Sequence, residues 1–275
     1  MAKIRMYIQS HGHFENDAVL NLAGANIATT DNKNPTAHWK TDIPSLTVLI
    51  NHSDVGWILY DTTSHPDNLK GYWPERLQKL CPHYLAPEDT LAAKLKILNL
   101  TPADIDILIL SHLHMDHAGN LFLFRDSKAG HNVYVQEKEL REALFLTHVG
   151  LEKNVGGYVR DDFVMSGIAY NPVEENFQLA EGIDIITLEG DALGIPGMIV
   201  HLENSGVFIF TSDGIKTKEN YGPPPRLPGA IYDSLGFFRS VAKIKRLEQQ
   251  YHAKIVFGHD GEHLKQFKLS PEFYD

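Results

Sequence analysis

Cysteine is almost missing from this chain: Cys81 is the sole one in 275 residues. An internal disulfide is therefore excluded, which suits a reducing compartment. Basic residues are scarce too, with 25 Lys and Arg against 35 Asp and Glu and a net charge of −10. Such a surface repels a polyanion such as DNA or RNA unless a local basic patch offsets it. Lys243-Ile244-Lys245-Arg246 is the one basic cluster, and on an amphipathic helix it reads as a solvated face. Long hydrophobic runs are absent, none approaching the ~18 apolar residues of a membrane span. Met1 to Ser10 has no apolar core behind its charges, so it is not expected to be a signal peptide. These absences lead to an expectation of a soluble, cytoplasmic protein that binds neither nucleic acid nor membrane.

What is present is an ordinary apolar content of 43%, enough for a full hydrophobic core. No repeat and no obvious linker divides the chain, so residues 1–275 are expected to form one domain. Leu46 to Ile50 and Trp57 to Tyr60 read as paired strands, as do Met198 to Leu202 and Val207 to Phe210. Further strands are expected at residues 4–9, 105–110, 133–135, 183–188 and 254–257. Helices are expected at 90–98, at 137–146 with Leu140, Leu144 and Phe145 on one face, and at 234–250. Residues 24–45 read as a long loop. Residues 66–90, with four prolines and Tyr72, Trp73 and Tyr84, read as an insertion that either packs on the body or covers a pocket. Residues 147–180 show no clear period.

Ser111-His112-Leu113-His114-Met115-Asp116-His117-Ala118-Gly119 is the most informative stretch. It follows the apolar run Ile105 to Leu110, a buried strand emptying into a loop. Neutral imidazoles and carboxylates are ligands for Zn²⁺ and similar ions. In a tight turn His112 and His114 can converge on one ion, with Asp116 and His117 facing a second. Three other strands end in a candidate ligand or supporting residue: Tyr60-Asp61, Thr211-Ser212-Asp213 and Gly258-His259. Strand ends at one sheet edge supply rigid supports for such a site. His11 and His13, two residues apart, read as part of a polar loop near the entrance, with a small metal pair as the alternative. His131, His148, His201, His252 and His263 have no motif support.

The His-x-His-x-Asp-His run, the strand-end Asp213 and the late Gly258-His259 resemble the metallo-β-lactamase superfamily, and most closely its N-acyl homoserine lactonase branch. Thr217-Lys218-Glu219-Asn220 adds to the likeness. The resemblance implies an α/β fold, a four-layer αββα sandwich, with the site along one edge of two sheets. It implies two divalent metal ions, Zn²⁺ first, with Mn²⁺ or Fe²⁺ as alternatives. His112 and His114 would hold one, Asp116, His117 and His259 the other, and Asp213 would bridge them. Asp61 would orient a ligand imidazole. The implied activity is hydrolysis of a lactone or related ester by a metal-bound hydroxide, with Asp116 passing a proton. Other ester classes (thioester, phosphodiester, sulfate ester), a diiron redox role and a non-catalytic role are the alternatives.

Two positions depart from the pattern. The family carries a Gly-His-x-x-Gly-His turn before the bridging Asp, where this chain has Gly190-Asp191-Ala192-Leu193-Gly194-Ile195. Asp191 is therefore expected to ligate the first metal through oxygen. Lactonases of this kind carry Tyr three residues after the bridging Asp; here stands Lys216. A Lys there is expected to stabilise a developing oxyanion or bind a substrate carboxylate, with a solvated role as the alternative.

Overall fold

The computed structural model describes residues 2–150 and 153–275. Met1, and Leu151 and Glu152 within the unassigned stretch 147–180, lie outside the described residues. The strands run β1 (Ile4–Asp17), β2 (Trp39–His52), β3 (Gly56–Tyr60), β4 (His83–Tyr84), β5 (Ile107–Ile109), β6 (Val133–Gln136), β7 (Asn154–Val155), β8 (Tyr158–Val159) and β9 (Tyr170–Val173). They continue with β10 (Phe177–Ala180), β11 (Ile183–Leu188), β12 (Ile195–Leu202), β13 (Gly206–Phe210) and β14 (Lys254–Val256). One sheet has the order β4-β1-β2-β3-β5-β6-β9 and the second β10-β11-β12-β13-β14; β7 and β8 form a separate hairpin. The helices are α1 (Glu75–Leu80), α2 (Leu91–Ile97), α3 (Glu137–Val149), α4 (Lys218–Tyr221), α5 (Ser234–Tyr251) and α6 (Gly261–Leu264).

Strand alternation builds the layers. In β3, Ile58 and Tyr60 face the second sheet, where they join Met6, Ile50, Ile109, Met198, Val200 and Phe210 in one core cluster. Leu59 points the other way, with Leu49 and Leu108, onto Leu91 and Leu95 of α2 and Ala143 of α3. On the far side of the second sheet, Ile186, Ile199, Ile209 and Ile255 meet Phe237, Val241 and Ile244 of α5. The result is the expected helix–sheet–sheet–helix sandwich. Strands buried on both faces read as continuous apolar runs, which is why they stood out in the sequence. Tyr60 Oη donates to Pro196 O at 2.6 Å, tying the sheets together near the site edge.

Four expectations need correction. Residues 24–45 are not all loop: β2 begins at Trp39, and Asp17 pairs with Trp39 at the outer end of a long hairpin. That arm runs past the body, so its exposed residues need not be apolar and the strand was masked. β1 likewise continues to Asp17 rather than ending at residue 9. In α3 the buried positions are Glu139, Ala143 and Thr147, while Leu144 and Phe145 are exposed. Glu139 is drawn inward because it accepts the buried Leu113 N–H at 2.9 Å. His11 lies in β1, fully buried, with its ring nitrogens 2.8 Å from Asp89 O and 2.8 Å from Thr47 Oγ1. Both nitrogens are spent, so it is neither an entrance-loop residue nor half of a metal pair. Within 66–90, Trp73 is buried against Phe14, Ile43, Leu77, Met115 and Val159. The segment packs on the body, and α1 lends Arg76, Leu77 and Leu80 to a pocket wall.

Candidate metal centre

Two parallel strand pairs aim at one place. β3 pairs with β5 in the first sheet, and β13 with β14 in the second. Parallel neighbours end at the same edge, so Asp61, Ser111 to His117, Asp213 and His259 arrive together. The chain turns sharply there: Asp61 and Ser212 have positive φ, 62° and 44°. Left-handed backbone at non-glycine residues costs free energy and is concentrated at functional sites. Gly258 has no side chain for a related reason. A Cβ there would stand 2.7 Å from Ser212 O and 3.2 Å from Asp213 Oδ1.

Three groups of ligand atoms lie close enough to hold an ion: His112, His114 and Asp191; Asp116, His117 and His259; and His112, His117 and Asp213. In the first, Asp191 Oδ2 is 3.2 Å from His114 Nδ1 and 3.8 Å from His112 Nε2. In the second, Asp116 Oδ2 is 3.4 Å from His117 Nε2 and 3.6 Å from His259 Nε2. Asp213 Oδ1 stands between the two groups, 2.9 Å from His259 Nε2 and 3.4 Å from His117 Nε2. All seven expected ligands are therefore gathered in one spot, Asp191 included.

The residues fit a pair of cations. His117 Nε2 and Asp213 Oδ1 are buried with no hydrogen bond, a costly arrangement unless something else satisfies them. Two imidazole nitrogens, His112 Nε2 and His114 Nδ1, face each other at 3.0 Å. The far nitrogens of three histidines are anchored. His117 Nδ1 is 2.9 Å from Asp61 Oδ2, His259 Nδ1 is 2.8 Å from Pro44 O, and His112 Nδ1 is 3.2 Å from Ser111 Oγ. Donation from Nδ1–H in these contacts leaves Nε2 with its lone pair toward the centre. Asp61 also accepts Ser111 N at 2.7 Å and Ser111 Oγ at 2.8 Å, and Ser212 Oγ donates to Ser111 Oγ at 2.8 Å.

Charge at the centre is tightly balanced. Burial and the neighbouring His117 and His114 push His112 well down, keeping it neutral. Burial alone would raise Asp191, but the Lys216 ammonium and His114 outweigh it and hold the carboxyl down at about 2. Burial also opposes the ionised form of Asp213, which His259, Lys216 and His117 nevertheless hold well below the usual carboxylate range. Lys216 is itself buried, with Nζ 2.8 Å from Asp191 Oδ1 and 3.3 Å from Asp213 Oδ2, so it is not a solvated residue.

Residues 41–259 match the family described as the metallo-beta-lactamase superfamily. The chain belongs to that superfamily. It is 32% identical over 244 residues to the N-acyl homoserine lactonase AiiB of Agrobacterium fabrum, covering 85% of this chain and 86% of that one. It is 29% identical over 210 residues to the N-acyl homoserine lactonase AttM of Azorhizobium caulinodans, covering 74% and 73%. A solved N-acyl homoserine lactone hydrolase, with N-hexanoyl-L-homoserine bound at its catalytic metal centre, superposes with a TM-score of 0.82. That likeness covers 99% of each chain at 23% identity, which speaks to the fold.

In this superfamily member a cavity of about 300 Å³ leads to these candidate ligands. Phe14, Ile43, Leu77, Leu80 and Met115 make an apolar wall, and Asp116, Asp191, Asp213 and Lys216 line the polar end. His65 and Trp73 are not among its lining residues. His65 stacks on Tyr72 at 3.7 Å instead. Sequence reasoning missed the β7–β8 hairpin. Its Gly157 O accepts Met115 N at 3.0 Å, and the ring of Tyr158 meets that of His114 edge-on at 4.7 Å. A Cβ at Gly157 would stand 2.7 Å from His114 Cγ. The signal was the Gly156-Gly157 pair, unreadable without knowing that the His114 ring lies against it.

Proposed function

We propose that this chain is a metal-dependent hydrolase that opens a lactone ring, with N-acyl homoserine lactones as the first substrate class to test. The observation that carries the reading is the convergence of seven ligand residues at the polar end of a cavity with an apolar wall. Such a wall suits an acyl chain, while the polar end suits the ester to be cut. The similarity to curated N-acyl homoserine lactonases supports the same reading.

The ions are two divalent cations, Zn²⁺ first; the extra oxygen of Asp191 widens acceptance toward Mn²⁺ and Fe²⁺. When bound, they supply Lewis acidity to the carbonyl and acidify a water molecule. His112, His114 and Asp191 would hold one ion and Asp116, His117 and His259 the other, with Asp213 available to both. Asp61 and Ser111 fix the ring orientation of His117 and His112. Asp116 turns Oδ2 to His117 and His259. Its Oδ1 takes the proton of the attacking water and returns it to the departing ring oxygen. Lys216 contributes a fixed positive charge at the polar end, where negative charge develops on the carbonyl oxygen. The apolar wall keeps bulk water from the ester. The lone cysteine and the net charge of −10 accord with a cytoplasmic enzyme of a small molecule rather than a nucleic-acid protein.

The test is a pH-indicator panel on metal-reconstituted protein: acyl homoserine lactones, other γ- and δ-lactones, aryl esters, a thioester, a phosphodiester and a sulfate ester. Lactone turnover well above the rest is expected. Preferred turnover of another class overturns the lactonase assignment.

A further inference from the structure

Lys216 makes an unusual set of contacts for a residue beside a metal centre. Its ammonium divides two carboxylates in the same manner. It takes Asp191 Oδ1 at 2.8 Å, while Asp191 Oδ2 faces His114 and His112. It takes Asp213 Oδ2 at 3.3 Å, while Asp213 Oδ1 faces His259 and His117. Its backbone reaches a third ligand, because Lys216 O accepts His259 N–H at 2.8 Å. One residue therefore touches ligands of both halves of the centre.

Resting on the metal-centre reading, we propose that Lys216 is a resident cation that assigns one oxygen of Asp191 and one of Asp213 to metal binding and weakens the hold on the first ion. The physics follows from the pairing. Two carboxylates that share a buried site repel each other, and a cation between them removes that repulsion. In the metal-free protein the ammonium plays this part. A divalent ion arriving at His112, His114 and Asp191 meets a positive charge already on the same carboxylate, which lowers its affinity. The ammonium also bars Asp191 from closing on the ion with both oxygens. Asp191 and Lys216 form a unit: the carboxylate adds negative charge at a ligand position, and the ammonium offsets it.

The experiment uses the full chain. Lys216→Met, Lys216→Gln and Lys216→Arg are compared with the parent by metal content after dialysis, by zinc competition against a chromogenic chelator, and by Tm with and without metal. In the Met and Gln variants the first zinc should be held about 10-fold more tightly. Their metal-free Tm should fall, and zinc should restore more of it than in the parent. The Arg variant should return both readouts toward parent values. If Met fails to fold without metal, Gln, which retains hydrogen bonding, carries the comparison. Zinc affinity and metal-free Tm that match the parent in Met and Gln, with only kcat reduced, would overturn the proposal and make Lys216 a substrate-facing group alone. A parent that binds no zinc would overturn the metal-centre reading itself.

Discussion

Replacing Asp61 by Asn tests how the protein sets the protonation of its ligands. Asn is tolerated in the left-handed region, so the φ of 62° at this position survives the change. Shape is nearly unchanged, but the hydrogen-bond pattern is not. Asp61 accepts three bonds, from Ser111 N, Ser111 Oγ and His117 Nδ1. The substituted amide keeps one acceptor for Ser111 N and turns its N–H donors toward the other two. His117 then presents a lone pair at Nδ1 and a proton at Nε2, the atom that faces the ion in the proposed centre. Ser111 Oγ, now accepting from the amide, donates instead to His112 Nδ1 at 3.2 Å, and His112 is pushed to the same wrong tautomer. Loss of a single such partner typically costs about 10–100-fold in metal affinity, or ~1.4–2.7 kcal/mol. Because two histidines are affected, the upper end is expected. Chelator competition and metal analysis after dialysis would measure it, with the metal-free Tm as a control on folding. An Asp61→Asn protein that folds and binds both ions with parent affinity would refute the reasoning.

Gly157→Ala should press on the His114 ring, because the new Cβ would meet Cγ at 2.7 Å and Cδ2 at 2.8 Å. Overpacking of this kind costs about 1–3 kcal/mol; metal analysis should show the first ion depleted and the second retained, whereas full occupancy of both would contradict the clamp. Asp162 is buried beside Tyr72 Oη, and burial pushes its carboxyl from 3.8 up to about 8 despite that hydrogen bond. Between those values the folded state holds a proton that the unfolded state releases, so this group's contribution to stability is lost as pH rises through the window. Asp162→Asn should gain on the parent in urea denaturation as pH rises from 5 to 8, by up to about 1.4 kcal/mol per pH unit, and level off by pH 9; a stability difference that does not change with pH would count against it. Cys81 lines the pocket, and burial, reinforced by Asp116, pushes its thiol up to about 12. Iodoacetamide at pH 8 should alkylate it about a thousandfold more slowly than a free thiol; labelling at the free-thiol rate would show a different environment.

Three of the candidate ligands and the supporting Asp61 could be read from the chain because each follows a buried strand, and such strands announce themselves as short apolar runs closed by polar residues. Asp61, His112, Asp213 and His259 were all found this way. What could not be read depends on partners distant in sequence. Glu139 looks like a surface residue of an amphipathic helix until Leu113 N and Tyr158 Oη are seen to donate to it, and with that face inward Leu144 and Phe145 face outward. The polar arm of β1 and β2 gives no apolar alternation because its outer end is exposed. Ser111 and Ser212 carry no signal in the sequence, yet Ser111 Oγ joins Asp61 to His112, and Ser212 Oγ, from the second sheet, donates to it. Lys216 was visible as a departure from the family pattern, but its pairing with Asp191 required the fold that brings two loops together.

The most direct measurement is acyl homoserine lactone hydrolysis by chelator-treated protein as divalent metal is added back, read beside Asp213→Ala. Turnover is expected to be absent without metal, to reach its plateau at two ions per chain, and to stay absent in the variant. Lactone hydrolysis that survives metal removal, or that persists in Asp213→Ala, would contradict the account.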